Sequence, residues 1–229
     1  DSMEVAFENL DIERFYAENP DCPLNCYRLL LSRITNGTTS PPSFDQVCWF
    51  HITRTTPGNA FERGILPLGQ VIDDIWGFLY ALVDDALSTE EWSAFRRNLG
   101  DGHYADLYRM KSGGRHLWRP YALLVRDIAF QPEEAGNHDY LDVPEIVEDI
   151  CICFSERYEM DLLEAYRETT EPCIVKFVDS ETTDEHLLTA LYYLYTVHRG
   201  NPLSMACNTC FDGRGSPIPK ERILQIEFP

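Results

Sequence analysis

Three polar side chains follow a short apolar run in the segment "CWFHITRTTPGNAFERGILPL", residues 48–68. They are His51, Thr53 and Arg54. Residues two apart on a strand share one face, so His51 and Thr53 point to the same side while Ile52 points into the opposite layer. An imidazole beside a hydroxyl can bind a ribose, and a guanidinium at the start of the following turn can bind a phosphate. The spacing suits a nucleotide pocket, and the alternative is a strand with an ordinary polar end.

The same segment carries a family resemblance. "WFHIT" followed by "FERGILP" resembles the first motif of ADP-ribosyltransferase-fold proteins, in which a strand ends in His-x-Thr or His-Gly-Thr and a short helix leads to a "GI" or "GL" segment. The DNA-targeting toxin branch is the most similar, whereas polymerase-type members have Gly at the position of Ile52. The resemblance implies that His51 binds a ribose hydroxyl of NAD and that Thr53 supports it. A phosphate contact by Arg54 is expected from the chemistry of the guanidinium and not from the resemblance.

The resemblance also implies an aromatic ring that stacks on nicotinamide and an acidic residue on a late core strand. The aromatic candidates are Tyr80, Tyr104 and Tyr108. The acidic candidate is Glu227 in "RILQIEF", because a carboxylate stabilises the positive charge that develops on the ribose as its bond to nicotinamide breaks. The same alternation is typical of any edge strand with one solvated face. A catalytic pair of His51 and Glu227 therefore requires that both residues and one tyrosine converge on one cleft.

The overall charge limits the kinds of partner. The chain has 229 residues, of which 38 are acidic and 19 are basic, and its formal net charge is -19. This balance opposes nucleic-acid binding through a broad basic face and favours a basic protein partner. We expect an enzyme that transfers ADP-ribose from NAD to a macromolecular acceptor, in the manner of a toxin or defence effector. The alternatives are a non-enzymatic acidic interaction protein, such as an inhibitor, immunity protein or antitoxin, and a nucleotide-binding relative without turnover.

Two pairs of adjacent acids lie in the helix predicted over residues 68–87. Asp73 and Asp74 precede Asp84 and Asp85 by eleven residues, which is close to three full turns. On one helix the two pairs would share a face and could hold Mg²⁺ or attract a basic partner. A solvated helix face is the favoured interpretation.

Eight cysteines allow a metal site as an alternative to free thiols. Cys22 and Cys26 in "CPLNC" and Cys207 and Cys210 in "CNTC" have ligand-like spacings, so a shared structural zinc is possible but disfavoured. Residues 1–15 are acidic and lack the apolar segment of a secretory signal. No apolar run is long enough to span a membrane. We therefore expect a cytoplasmic protein with reduced thiols.

Hydrophobic periodicity predicts one α+β domain over residues 1–229, with an N-terminal helical segment at about 4–36. Its sheet is expected to be split, mixed or antiparallel, and flanked by helices. Strands are predicted at 46–53, 121–130, 173–179 and 222–228. Helices are predicted at 68–87, from Ser88 onward, and at 143–158 and 184–200, whereas the glycine-containing segment 98–118 is predicted to be mostly loop.

Overall fold

The computed structural model describes residues 44–114 and 118–229, with a few isolated positions before them: Phe7, Glu8, Asp11, Arg14, Ala17, Glu18 and Ser32. Most of the predicted N-terminal helical segment lies outside these residues, as do Cys22 and Cys26. The described part contains seven α-helices and a three-stranded antiparallel sheet. The predicted α+β class is confirmed.

The sheet has the order β1-β2-β3, in which β1 is Val47–Thr55, β2 is Glu171–Asp179 and β3 is Ile223–Glu227. All three strands were predicted from their β-branched and aromatic residues. The register places His51 opposite Val175, whereas Ile52 lies opposite Ile174, which in turn lies opposite Glu227. Because β2 is central, its residues are buried on both faces, which explains its nearly continuous apolar sequence.

The strand predicted at 121–130 is wrong. Only Leu123 pairs in this segment, through single bridges to Phe50 and Cys210, and Arg126–Phe130 forms a 3-10 helix. The next two backbone amides, of Leu124 and Val125, donate to the side-chain oxygen of Asn208. The Leu124 amide also donates to the Thr209 carbonyl at 3.1 Å, so a side chain and isolated backbone bonds take the place of a regular strand partner.

The helices are α1 Leu68–Ala81, α2 Thr89–Arg97, α3 His103–Gly113, α4 Pro132–Ala135, α5 Glu145–Tyr158, α6 Leu162–Thr169 and α7 Asp184–His198. The predicted start of α2 is confirmed, because Ser88 and Glu91 form a reciprocal capping box. The start of α5 after Pro144 is also confirmed. None of the described helices combines the length and apolar character that a membrane crossing requires.

Two predictions about helix extent are wrong. The segment predicted as loop contains α3, because its glycines lie before the helix and at its C-terminal end instead of in its middle. Helix α1 ends at Ala81, before Asp84 and Asp85, which lie in the following turns. The two acidic pairs therefore do not share one helix face.

Within the described residues, three hydrophobic clusters hold these elements together. The helical cluster packs α1, α2, α3, α5 and α6 around Trp76, Phe95 and Phe154. Each face of the sheet then has its own cluster. The first sheet cluster contains Ile52 and Ile174, and the second contains Trp49, Val175 and Phe177. Along β1, strand parity therefore alternates the apolar side chains between the two clusters, with Trp49 in one and Ile52 in the other.

Candidate functional site

A cavity of about 660 Å³ lies between the helical cluster and the end of β1. Its walls come from β1, the turns at 56–67, helix α1, the segment 119–121 and the start of α5. Much of the wall is apolar, with Ile75 and Phe78 from α1. A volume in this range fits a ligand of nucleotide size.

The charge of the cavity wall differs from that of the protein. Four basic side chains line the described cavity: Arg54, Arg63, Lys111 and Arg119. Three acidic side chains line it as well: Glu62, Asp74 and Glu145. The formal charge of this wall is therefore +1, in a chain whose net charge is -19. The lining itself is therefore less negative than the protein as a whole, although Lys111 and Arg119 are paired with Asp149 and Asp212 outside it.

His51 has a defined tautomer in the cavity wall. Its Nδ1 lies 2.6 Å from the carbonyl oxygen of Tyr121. A carbonyl can only accept, so Nδ1 carries the proton and donates. Burial lowers the pKa of His51, which favours the neutral ring. Its Nε2 is then an acceptor, and no hydrogen-bond partner reaches this atom from the part of the chain that the structure describes.

Thr53 lies on the same face of β1 as His51, and both side chains line the cavity. The Thr53 hydroxyl makes only a long hydrogen bond of 3.3 Å, which it donates to the backbone carbonyl of Arg54. Its lone pairs remain available to a ligand donor. The period of two thus brings an imidazole acceptor and a hydroxyl together, as the alternation in β1 predicts.

The turn after β1 depends on one glycine. Gly64 of "FERGI" has a φ of 74°, and a Cβ at this position would overlap the carbonyl oxygen of Ile218. The adjacent Ile65 pairs with Ile218, which closes this side of the cavity. Residues 56–63 form turns instead of the short helix found in the families that the motif resembles.

Two tyrosines that the sequence did not single out form an aromatic wall. Tyr121 and Tyr140 stack with ring centres 5.1 Å apart and an interplanar angle of 30°, and both line the cavity. Burial raises the pKa of both phenols, and the nearby Glu145 adds to this effect at Tyr140. No motif marks either residue. The bridge between Phe50 and Leu123 is what brings Tyr121 beside β1.

The three predicted stacking residues, Tyr80, Tyr104 and Tyr108, lie outside the cavity wall. Tyr80 makes a 3.0 Å hydrogen bond with the Thr89 hydroxyl, and the hydroxyl of Tyr108 accepts from the indole of Trp76. Tyr104 also packs against the helical cluster. Their rings belong to the interior of the helices, and none lines the cavity.

Arg54 lines the cavity, but the protein itself uses its guanidinium. Nε donates to the Thr170 hydroxyl at 3.0 Å, and Nη1 donates to the carbonyl of Leu141 at 2.9 Å. Nη2 donates to the carbonyls of Arg167 and Thr170. These bonds occupy four of the five donors and tie the C-terminal end of α6 to β1. The predicted phosphate contact is therefore replaced by a structural role.

The predicted convergence of His51 with Glu227 is wrong. Glu227 lies opposite Ile174, and Ile174 lies opposite Ile52, so Glu227 shares the face of Ile52. Its carboxylate accepts two hydrogen bonds from the Arg126 guanidinium, at 2.6 and 2.9 Å. Arg126 thus engages the carboxylate, and Glu227 is not part of the described cavity wall.

Helix α5 contributes a different pair of acids beside the cavity. Asp149 is buried and its Oδ2 bonds to Nζ of Lys111 at 2.8 Å, while its Oδ1 has no partner among the described atoms. Glu145, one turn earlier, lies 3.7 Å from the same Nζ. Burial raises the pKa of Asp149, which Lys111 partly offsets. Lys111 is thus held mainly by Asp149.

The two described cysteines of the predicted zinc site have separate surroundings. Cys207 is buried with its Sγ 3.7 Å from the Thr196 hydroxyl, whereas the exposed Cys210 has its Sγ 3.1 Å from the Tyr121 hydroxyl. Among residues 44–114 and 118–229, no cluster of three or more metal-ligating side chains occurs. The zinc prediction depends on Cys22 and Cys26, which lie outside the described residues.

No family model, curated protein or solved structure matches the chain significantly.

Proposed function

We propose that the protein binds NAD in the cavity at the end of β1, as the resemblance to ADP-ribosyltransferase-fold proteins implies. The observation that carries the proposal is the tautomer of His51. The Tyr121 carbonyl takes the Nδ1 proton, so Nε2 is an acceptor in the cavity wall beside the Thr53 hydroxyl. A neutral imidazole next to a hydroxyl is a suitable receptor for ribose hydroxyls.

The remaining wall suits the other parts of a dinucleotide. The stacked pair of Tyr121 and Tyr140 offers an aromatic surface for a planar base or nicotinamide ring. The basic side chains of Lys111 and Arg119 stand in the same wall, and a pyrophosphate can bind them in addition to their partners Asp149 and Asp212. The positive charge of this wall, within an acidic protein, favours an anionic ligand over a cationic one.

The activity that accompanies this ligand is transfer of ADP-ribose to a macromolecular acceptor. The net charge of -19 disfavours a nucleic-acid acceptor and favours a basic protein. A role as a toxin or defence effector in the cytoplasm accords with such an activity.

Calorimetric titration with NAD at up to millimolar concentration tests the proposal. We expect binding by the wild type, and at least a tenfold loss in His51→Ala, because this variant removes the Nε2 acceptor and the bond to Tyr121. The matched control is His103→Ala, which changes an exposed histidine outside the cavity wall. Absence of NAD binding by the wild type, or equal affinity of the two variants, would contradict the proposal.

A second candidate is a non-enzymatic acidic interaction protein. The observation that favours it is the exposure of Asp84 and Asp85 in the turn after α1, together with the strongly negative net charge. This function predicts capture of a basic protein that weakens as salt rises and that is unchanged in His51→Ala. Salt-independent capture, or loss of capture in His51→Ala, would exclude it.

A further inference from the structure

We propose that the cavity also binds small amphipathic molecules, in which an aliphatic chain lies along α1 and a hydroxyl group donates to Nε2 of His51. This ligand class goes beyond the proposed function and does not require NAD. Three observations carry it: an apolar row on α1 that faces the cavity, the uncharged acceptor that β1 supplies, and the partners that the basic side chains of the wall already have.

The apolar surface of α1 is wider than the helical cluster covers. Next to the side chains that this cluster buries, a second row repeats every three or four residues and lines the cavity: Leu68, Val71, Ile75 and Phe78. All four are half-buried, although three of them also touch the helical cluster. Val71 is the member that belongs to none of the three clusters. A helix surface of this width is normally covered on both sides of its apolar stripe, and the cavity lies along the second side.

Two further elements add apolar side chains to the same cavity. Helix α5 contributes Ile146 and Val147, and the turns after β1 contribute Phe61 and Leu66. Apolar groups thus line the space from three elements, and its volume of about 660 Å³ is in the range of small-molecule sites. The occupant that would cover the row on α1 is therefore a small molecule with an apolar body.

The polar part of the cavity that β1 supplies is uncharged. Nδ1 of His51 donates to the Tyr121 carbonyl, which leaves Nε2 as an acceptor. The Thr53 hydroxyl lines the same cavity and makes only one long hydrogen bond, of 3.3 Å. A ligand needs a donor to use Nε2, and a hydroxyl group can donate to this nitrogen and accept from Thr53.

Each basic side chain of the described wall already has a partner within the chain. The partners are backbone carbonyls for Arg54, Asp74 for Arg63, Asp149 for Lys111 and Asp212 for Arg119. A carboxylate head group would compete with these partners for a cation, and it has no donor for Nε2 of His51. For a ligand with one small head group, a hydroxyl therefore suits the end of β1 better than a carboxylate.

Calorimetric titration of the full chain with 1-hexanol, 1-octanol, 1-methoxyheptane and octanoate tests the ligand class. The affinity for the alcohols should rise about fourfold with each added methylene, because each is buried against the apolar wall. The ether 1-methoxyheptane has the same number of heavy atoms as 1-octanol but no donor, so it should bind about fivefold more weakly. Octanoate should also bind more weakly than 1-octanol.

Variants of the protein test each part of the site. Val71→Asp puts a charge into the apolar row and should weaken 1-octanol binding at least tenfold, whereas Gln70→Asp adds the same charge at an exposed position outside the cavity wall and should leave it unchanged. Val71→Thr keeps the shape of valine and should weaken binding about threefold, which gives a second readout if Val71→Asp does not fold. His51→Ala should abolish the preference for 1-octanol over the ether and retain the dependence on chain length.

The outcomes distinguish this ligand class from the proposed function. Absence of 1-octanol binding, an affinity independent of chain length, or equal affinity of Val71→Asp and Gln70→Asp would overturn it. Equal binding of 1-octanol and the ether by the wild type, or tighter binding of octanoate, would overturn the role of the hydroxyl at His51. These titrations contain no NAD, so failure to bind NAD overturns the proposed function alone. If both ligands bind, they should compete, because both use Nε2 of His51.

Discussion

The imidazole of His51 and the carbonyl of Tyr121, seventy positions apart in the chain, meet at 2.6 Å. This bond joins β1 to the segment that carries half of the tyrosine wall. It also determines which ring nitrogen of His51 is an acceptor. The candidate site therefore depends on a long-range contact to the backbone, which no local sequence pattern specifies.

The first prediction concerns pH. Burial lowers the pKa of His51 in the folded state. In the unfolded chain its pKa is the ordinary value of about 6.5, so near and below this pH the unfolded chain binds more protons than the folded protein. Stability should fall as pH decreases from 7.5 to 5.5. His51→Asn keeps a donor for the Tyr121 carbonyl but does not titrate, so it should weaken this dependence by up to about 1 kcal/mol. Urea unfolding at both pH values measures the difference.

The control for this prediction is His103→Asn, an exposed histidine at the start of α3. It should retain the pH dependence of the wild type. Burial also lowers the pKa of His186, which should contribute to the pH dependence that remains in His51→Asn. If His51→Asn and wild type show the same dependence of stability on pH, the inference that the His51 imidazole is neutral in the folded protein is wrong.

The second prediction uses two glycines of α1. A Cβ on Gly69 would overlap the ring of Trp118, whereas a Cβ on Gly77 meets nothing within 4 Å. Gly69→Ala should destabilise the protein by about 1–3 kcal/mol through overpacking. Gly77→Ala should stabilise it by about 0.5–1 kcal/mol, because alanine favours the helix. Chemical denaturation measures both, and equal stability of the two variants would contradict the packing of Trp118 on α1.

The third prediction separates structure from ligand binding at Arg54. Lysine in its place retains the charge but cannot reproduce the planar set of bonds to Leu141, Arg167 and Thr170. Arg54→Lys should lower the free energy of unfolding by about 3 kcal/mol. Arg214→Ala, an exposed arginine, should change it by less than about 0.5 kcal/mol. A fully stable Arg54→Lys variant with weakened NAD binding would instead favour the phosphate contact.

The fourth prediction concerns the buried ion pair of Lys111 and Asp149. Lys111→Met leaves a desolvated carboxylate without its cation, at a cost of about 3 kcal/mol near neutral pH. The pKa of Asp149 is already raised by burial, and loss of Lys111 raises it further. Protonation of the folded state then relieves the penalty, so the variant should recover stability as pH falls through this raised pKa.

The matched variant for this pair is Lys111→Met combined with Asp149→Asn, which removes the buried charge as well. The double variant should be more stable than Lys111→Met at neutral pH and should lack the recovery at low pH. Urea denaturation across pH 7.5 to 4.5 tests both statements. A destabilisation of Lys111→Met that is the same at every pH would show that Asp149 is not the group responsible.

The sequence by itself determined the features that depend on near neighbours. The alternation in β1 puts His51 and Thr53 on one face, the capping box of Ser88 and Glu91 starts α2, and Pro144 precedes α5. Each of these depends on side chains and backbone within a few residues, so a short window contains the information. The segment around α3 was predicted wrongly, because glycines near the ends of a helix look the same in the sequence as glycines that interrupt one.

Only the tertiary structure decided which of these groups meet. Alternation shows which residues of β3 share a face with Glu227. Which residues of β1 lie on that face depends on the strand register through Ile174. A register shift of one residue would put Glu227 on the other face. The stacking of Tyr121 on Tyr140 and the position of Glu145 likewise arise from packing between distant segments. Such contacts depend on the cooperative packing of the whole chain, so they cannot be predicted from local periodicity.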